Sequence, residues 1–279
     1  MGGGIPQVVG VTSFDETTGN VLLDDRAAFP RLVPLEAFNA ARVNVKAAKN
    51  CLVWIDSPPG PIDIRQPVLE GILAWIAGMS EPLPGLPKWA ATNCGLAGLD
   101  KWASLLVDNR DKKGWPKVFS RGRALYSGLT TIYQSIEQGS GGSSGTGGGG
   151  FRPLFGAFLR EAAVILEKPD LIASAERFDA IGVDWVSLAH ASLPGALAET
   201  RTLLDRRARA LVNSDDPRAE YAEIASQLDV LGKTAATDFP LTEAETRDLL
   251  NDLGTRIREI ALKERVSINE LAQLIQPTN

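Results

Sequence analysis

Twelve consecutive residues near the middle of the chain, 139–150, contain eight glycines and not one apolar side chain. Such a run contributes nothing to a core, and it forbids a helix or strand that continues unbroken through the centre of the sequence. A strongly periodic pattern starts at once behind it. Phe151, Leu154, Phe155, Phe158, Leu159, Ala162, Ile165 and Leu166 follow the i, i+3, i+4, i+7 spacing of an amphipathic helix. Pro153 suits the first turn of that helix, where a missing N–H removes no hydrogen bond. The run therefore divides the chain into a front portion of mixed α/β character, 1–138, the glycine-rich loop, 139–150, and a helical portion, 151–279. Front and rear are separate units or one continuous domain.

In the front portion, residues 8–14 and 21–25 are short β-rich runs flanking the turn residues Asp15 to Asn20, which predicts a hairpin. A helical pattern covers 35–48, and the wholly apolar run 51–55 predicts a third, buried strand. From Gln66 onward helices dominate, marked by Val68, Ile72 and Trp75, then by Leu96, Leu99, Trp102 and Leu106, then by Leu125, Leu129, Ile132 and Ile136. Behind the loop, helical patterns cover 173–191 and 197–212, with two more marked by Ile224 and Leu228 and by Leu253 and Ile257. Thr242 with Glu245, and Ser267 with Glu270, have the spacing of a capping box and predict two helix starts. The expected fold class is α+β and predominantly α-helical, with a small N-terminal antiparallel β element packed on helices and a helical C-terminal array.

Charge removes several function classes. With 29 basic and 34 acidic residues the net charge is −5, so no positive excess exists to follow a nucleic-acid backbone, and nucleic acid is not an expected partner. Two cysteines and a single histidine make neither a disulfide framework nor a metal site, and no cofactor motif is present. The longest apolar runs fall far short of the ~20 residues that span a bilayer, and residues 1–6 lack the features of a secretory leader. A cytoplasmic location without membrane association is expected, and a homo-oligomer is compatible with it.

Two readings of the glycine-rich loop stand side by side. In one it is a flexible connector. In the other, the amides of Gly147, Gly148, Gly149 and Gly150, together with Thr146 and Phe151, lie at a helix start whose dipole favours an anion, and Arg152 clamps that anion. No Lys-Ser/Thr follows the glycines, so the loop is not a nucleotide P-loop. Cys94, between Asn93 and Gly95 at a predicted helix start, is the better candidate nucleophile, whereas Cys51 reads as a small buried hydrophobe. His190, a candidate base, sits on a helix rich in small apolar residues and reads more simply as a surface or core histidine. Asp24, Asp25 and Arg26 end the second strand, where a carboxylate orients a base or simply faces water, and Asp56 carries the same pair of readings. The tryptophans at 54, 75, 89, 102, 115 and 185 read as core.

The segment from Gly145 to Ala163, with its glycines, Phe151-Arg152 and Phe158-Leu159, resembles the glycine-rich segment in the C-terminal region of proteins related to butirosin biosynthesis protein H. The front agrees in outline, with 8–15 and 21–26 like that family's two strands and 35–42 like its following helix. What the resemblance implies is papain-like acyl or aminoacyl transfer from a carrier-protein thioester to an amine, with an acyl-carrier protein or acyl thioester as partner. It also implies a nucleophile on a segment ahead of the hairpin, a histidine where this chain has Gln7, and an aspartate matched by Asp25. Two expectations follow. Either Cys94 works with His190, with Asp25 as the aspartate that the resemblance retains, or a separate catalytic chain supplies the rest, or the chain is a non-catalytic binding or partner subunit.

Overall fold

The computed structural model describes residues 9–24, 30–44, 53, 60–81, 92–138, 145–213 and 218–275. The first two strands are β1, Gly10–Asp15, and β2, Asn20–Asp24. The turn between them is fixed by Asp15, whose carboxylate accepts the Thr17 amide at 2.8 Å and the Thr18 hydroxyl at 2.7 Å. They pair antiparallel, with Phe14 opposite Val21 and an irregularity between Val11 and Ser13. A third strand, β3, Arg31–Pro34, pairs with β2 and completes the order β1-β2-β3. Of the expected strand at 51–55 only Val53 is described, and it is exposed and outside any strand. Helix α1, Leu35–Asn44, follows β3 directly and packs on β2 and β3. All six residues of β1 are exposed, and Val21 is the buried side chain of the three strands.

The remainder is helical: α2, Arg65–Ser80; α3, Gly95–Val107; α4, Trp115–Val118; α5, Arg123–Glu137; α6, Arg152–Ile165; α7, Leu171–Ser192; α8, Ala198–Asn213; α9, Arg218–Thr237; and α10, Glu243–Ile275. The fold is α+β and predominantly helical. One apolar cluster runs from Ile72 through Leu129, Phe178 and Leu253 to Ile275, so helices on both sides of the glycine-rich segment share a core. Helix α10 organises it. Its Leu250, Leu253, Ile257, Ile260, Ile268, Leu271 and Ile275 follow a three- or four-residue step, with Glu264 taking the position between Ile260 and Ile268, and the helix packs on α2, α3 and α7. Beside it, Phe178 of α7 is fully buried and meets Trp75 and Phe155 edge to face, at 5.1 and 4.9 Å between ring centres.

One of the two capping boxes is formed. Thr242 Oγ1 accepts the Glu245 amide at 3.2 Å, and Glu245 accepts the Thr242 amide at 2.8 Å, just ahead of α10. At Ser267 no helix starts: α10 passes straight through, Ser267 is buried, and Glu270 pairs with Arg177 of α7 at 2.9 Å. From Ile260 to Ile275 the apolar stripe has neither glycine nor proline, so packing on α7 overrides the local cap signal. Among the described residues no helix is long and apolar enough to cross a membrane.

Candidate functional site

The last carbonyls of α5 have no partner inside the helix, and the returning chain supplies one. The Gly148 amide and the Thr146 hydroxyl donate to Ile136 O at 2.9 and 2.8 Å, and the Gly147 amide donates to Gln138 O at 3.3 Å. From there five residues in succession, Gly147 to Phe151, have positive φ, 71°, 91°, 69°, 61° and 64°. Only glycine adopts such a run without strain. Space adds a second demand at Gly149 and Gly150: a Cβ would lie 2.8 Å from the Pro153 ring in the first case and 3.1 Å from the Trp185 indole in the second. Phe151, the non-glycine member, is the left-handed cap of α6 and is half exposed.

This turn closes one end of a cavity of about 580 Å³, a volume typical of small-molecule sites. Thr146, Gly150, Phe151 and Arg152 line it from the turn; Thr131, Ile132, Ser135 and Ile136 from α5; Asn93, Gly95, Leu99 and Trp102 from α3 and the chain just before it. Met79, Trp115, Phe119 and Trp185, with Gly98 and Gly128, complete the wall. It is strongly aromatic. Trp102 and Trp185 lie almost parallel, 6.5 Å apart with 17° between their planes, and Trp115 leans on Phe119 at 4.4 Å.

The polar end belongs to Arg152. Its Nε and Nη2 both reach Glu264 Oε1 at 2.6 Å, its Nη1 donates to Gly150 O at 2.6 Å, and its guanidinium lies 5.7 Å from the centre of the Trp185 ring. Trp185 Nε1 donates to the same Glu264 oxygen at 3.2 Å. Glu264 comes from α10, is fully buried, and its Oε2 has no hydrogen-bond partner among the described residues. The anion held by Arg152 is thus the protein's own carboxylate. The partly buried guanidinium is thus already compensated by a buried carboxylate of the same chain.

The expected site residues are therefore placed differently from one another. Thr146, Gly150, Phe151 and Arg152 meet at the cavity. Gly147 and Gly148 direct their amides to the end of α5, and Gly149 packs on Pro153 and Gly182. Cys94 is the N-cap residue of α3, a half-buried free thiol between two lining residues, but is not itself part of the lining. His190 is exposed in the last turn of α7 with its ring 5.8 Å from that of Tyr133. The Tyr133 hydroxyl donates to Asp205 of α8, so His190 joins a second polar cluster and not the cavity wall. Burial, with the Asp205 hydrogen bond and charge, drives the Tyr133 hydroxyl well above its ordinary pKa. Asp25, Cys51 and Asp56 lie outside the described residues, Asp24 is an exposed strand end, and no described residue of the hairpin lines the cavity. Among the described residues no group of three or more histidine, cysteine or carboxylate side chains is arranged to hold a metal ion.

Several wall residues carry no distinctive mark in the sequence. Trp102, Trp115 and Trp185 read as core, and Thr131 and Ser135 as ordinary polar positions of an amphipathic helix. Glu264 did leave a signal: it occupies the apolar stripe of α10 between Ile260 and Ile268, where a carboxylate is out of place unless a cation meets it.

A family model described as a domain of unknown function (DUF4872) matches residues 36–215, and the chain belongs to that family. The matched span holds every residue that lines the cavity, whereas the three strands and Glu264 lie outside it. No curated protein and no solved structure matches the chain.

Proposed function

We propose that this member of the DUF4872 family holds an acyl or similarly apolar group in the tryptophan-lined cavity, as a binding unit of an acyl-transfer system, and does not itself supply the nucleophile. The observation that carries the reading is the composition of the wall. Three indoles, two phenyl rings and several aliphatic side chains surround about 580 Å³, with a few hydroxyls and one guanidinium at the edges. Nucleophile and base are not paired there: Cys94 is absent from the lining and His190 faces Tyr133. The acyl assignment rests on the resemblance of Gly145 to Ala163 to butirosin H-type proteins, in which a carrier thioester delivers the group.

Calorimetric titration with octanoyl-pantetheine tests it. Saturable binding is expected in the wild type, with much weaker binding in Ser135→Trp, whose indole would fill the cavity from an exposed position. Absence of binding in the wild type, or equal binding in the variant, overturns the reading. A second reading, catalysis through Cys94, is favoured by its two lining neighbours, Asn93 and Gly95. Iodoacetamide labelling decides it. A thiol that reacts no faster than free cysteine, and a Cys94→Ser variant that binds normally, leave the protein a binder.

A further inference from the structure

We propose, resting on the reading that the cavity holds an apolar group, that its polar end selects a neutral carbonyl, such as an amide, ester or thioester oxygen, and rejects the corresponding carboxylate. Three observations carry this.

The first is the donor inventory of Arg152. A guanidinium has five N–H groups. Nε and one N–H of Nη2 go to Glu264, and one N–H of Nη1 goes to Gly150 O. One N–H on each terminal nitrogen is left for an acceptor in the cavity that Arg152 lines.

The second is charge. Arg152 is the ionisable side chain among the described lining residues, and its charge is already met by Glu264, which is fully buried. Because Glu264 Oε2 has no hydrogen-bond partner among the described residues, its negative charge is compensated by them through Oε1. A ligand carboxylate would bring a second negative charge beside it, in an aromatic cavity that does little to solvate an ion. A neutral carbonyl accepts the same N–H groups without that repulsion.

The third is Thr146. Its hydroxyl hydrogen is engaged by Ile136 O at 2.8 Å, so toward the cavity the oxygen offers only lone pairs. A carboxylate, which only accepts, gains nothing from it, whereas an amide N–H can donate to it.

The experiment compares octanamide with octanoate by calorimetry near neutral pH, in the wild type and in Glu264→Gln. Octanamide is expected to bind at least about tenfold tighter in the wild type, the scale of one unfavourable like-charge contact. Glu264→Gln leaves the Arg152 charge uncompensated, and octanoate should then gain at least about tenfold relative to octanamide. Desolvation alone would favour the amide equally in both proteins, so the shift between them is the decisive quantity. Should Glu264→Gln fail to fold, the double variant Arg152→Met with Glu264→Met replaces the buried pair by apolar side chains of similar size. It should then bind octanamide at least about tenfold more weakly than the wild type does, as the carbonyl loses its donors. Octanoate binding as tightly as octanamide in the wild type overturns the selectivity while leaving the apolar cavity intact. An unchanged ratio in Glu264→Gln, or undiminished octanamide binding in the double variant, removes the ion pair from it. If neither compound binds, the cavity reading itself falls and takes this inference with it.

Discussion

Gly19 in the N-terminal hairpin and Gly150 in the turn before α6 have nearly the same φ, +66° and +61°, and very different surroundings. A Cβ on Gly19 would meet nothing within 4 Å, whereas one on Gly150 would press on the Trp185 ring at 3.1 Å. The same contrast runs through the regions that hold them. The hairpin exposes every residue of β1 and buries Val21 alone. The turn carries Gly149 and Gly150 into the core and presents Arg152 to a carboxylate from α10. A glycine of the first kind serves the local backbone, and one of the second kind lets two packed elements touch. The family match falls on the same side of the contrast, since it covers the turn and the cavity and leaves out the ribbon.

The largest effect expected from this contrast is in the core. Phe178→Ala should cost about 3–5 kcal/mol in denaturant unfolding, because a fully buried ring in contact with Trp75 and Phe155 would leave a void. Val21→Ala removes two methyl groups from the ribbon and should cost about 1.5 kcal/mol. Equal losses would erase the distinction between the regions.

Within the turn the glycines themselves should separate. Gly150→Ala combines a left-handed penalty with overpacking against Trp185, for a total of about 2–4 kcal/mol. Gly147→Ala, with open space around the Cβ position, should lose only about 1 kcal/mol. A thermal melt that ranks Gly147→Ala as the worse of the two would show that Gly150 does not pack as described.

The two capping boxes provide a finer test. Thr242→Ala should cost about 1 kcal/mol, since it breaks a formed cap, whereas Ser267→Ala in mid-helix should stay within about 0.5 kcal/mol of the wild type. Both pairs set a hydroxyl residue three positions before a glutamate, and tertiary contact tells them apart.

That pair also shows what the sequence makes legible. Helix positions and the hairpin are readable because periodicity and turn chemistry are local: apolar spacing marks α5, α6 and α7, and Asp15 to Gly19 marks the first turn. The four residues of β3 are too few to show a period, and their pairing with β2 is a tertiary fact. At the cavity the turn residues stand out because glycines are conspicuous, while Trp115 and Ser135 become neighbours only when α4 and α5 are placed. Cys94 and His190 are chemically conspicuous, yet their helices direct them to different surroundings. Residue type is written in the sequence, and convergence is not.

The smallest effect concerns the second polar cluster, at the other end of the contrast between convergent and isolated groups. Glu137, in the last turn of α5, has its pKa raised above the ordinary 4.5 chiefly by burial, with the His190 charge opposing the shift and the Asp205 charge adding to it. Its Oε1 is buried without a hydrogen-bond partner among the described residues. A carboxyl whose folded pKa is raised contributes stability fully below its unfolded pKa, and that contribution is lost as pH rises through the folded value. Glu137→Gln is neutral at every pH and escapes this loss. Its unfolding free energy should therefore exceed that of the wild type near neutral pH by a small amount, within about 0.5 kcal/mol. The gap should close as the buffer is taken below the ordinary carboxylate range. A gap that stays constant with pH would mean that the amide acts through packing, and one that widens in acid would mean that the carboxylate is stabilised by His190 more than it is penalised by burial.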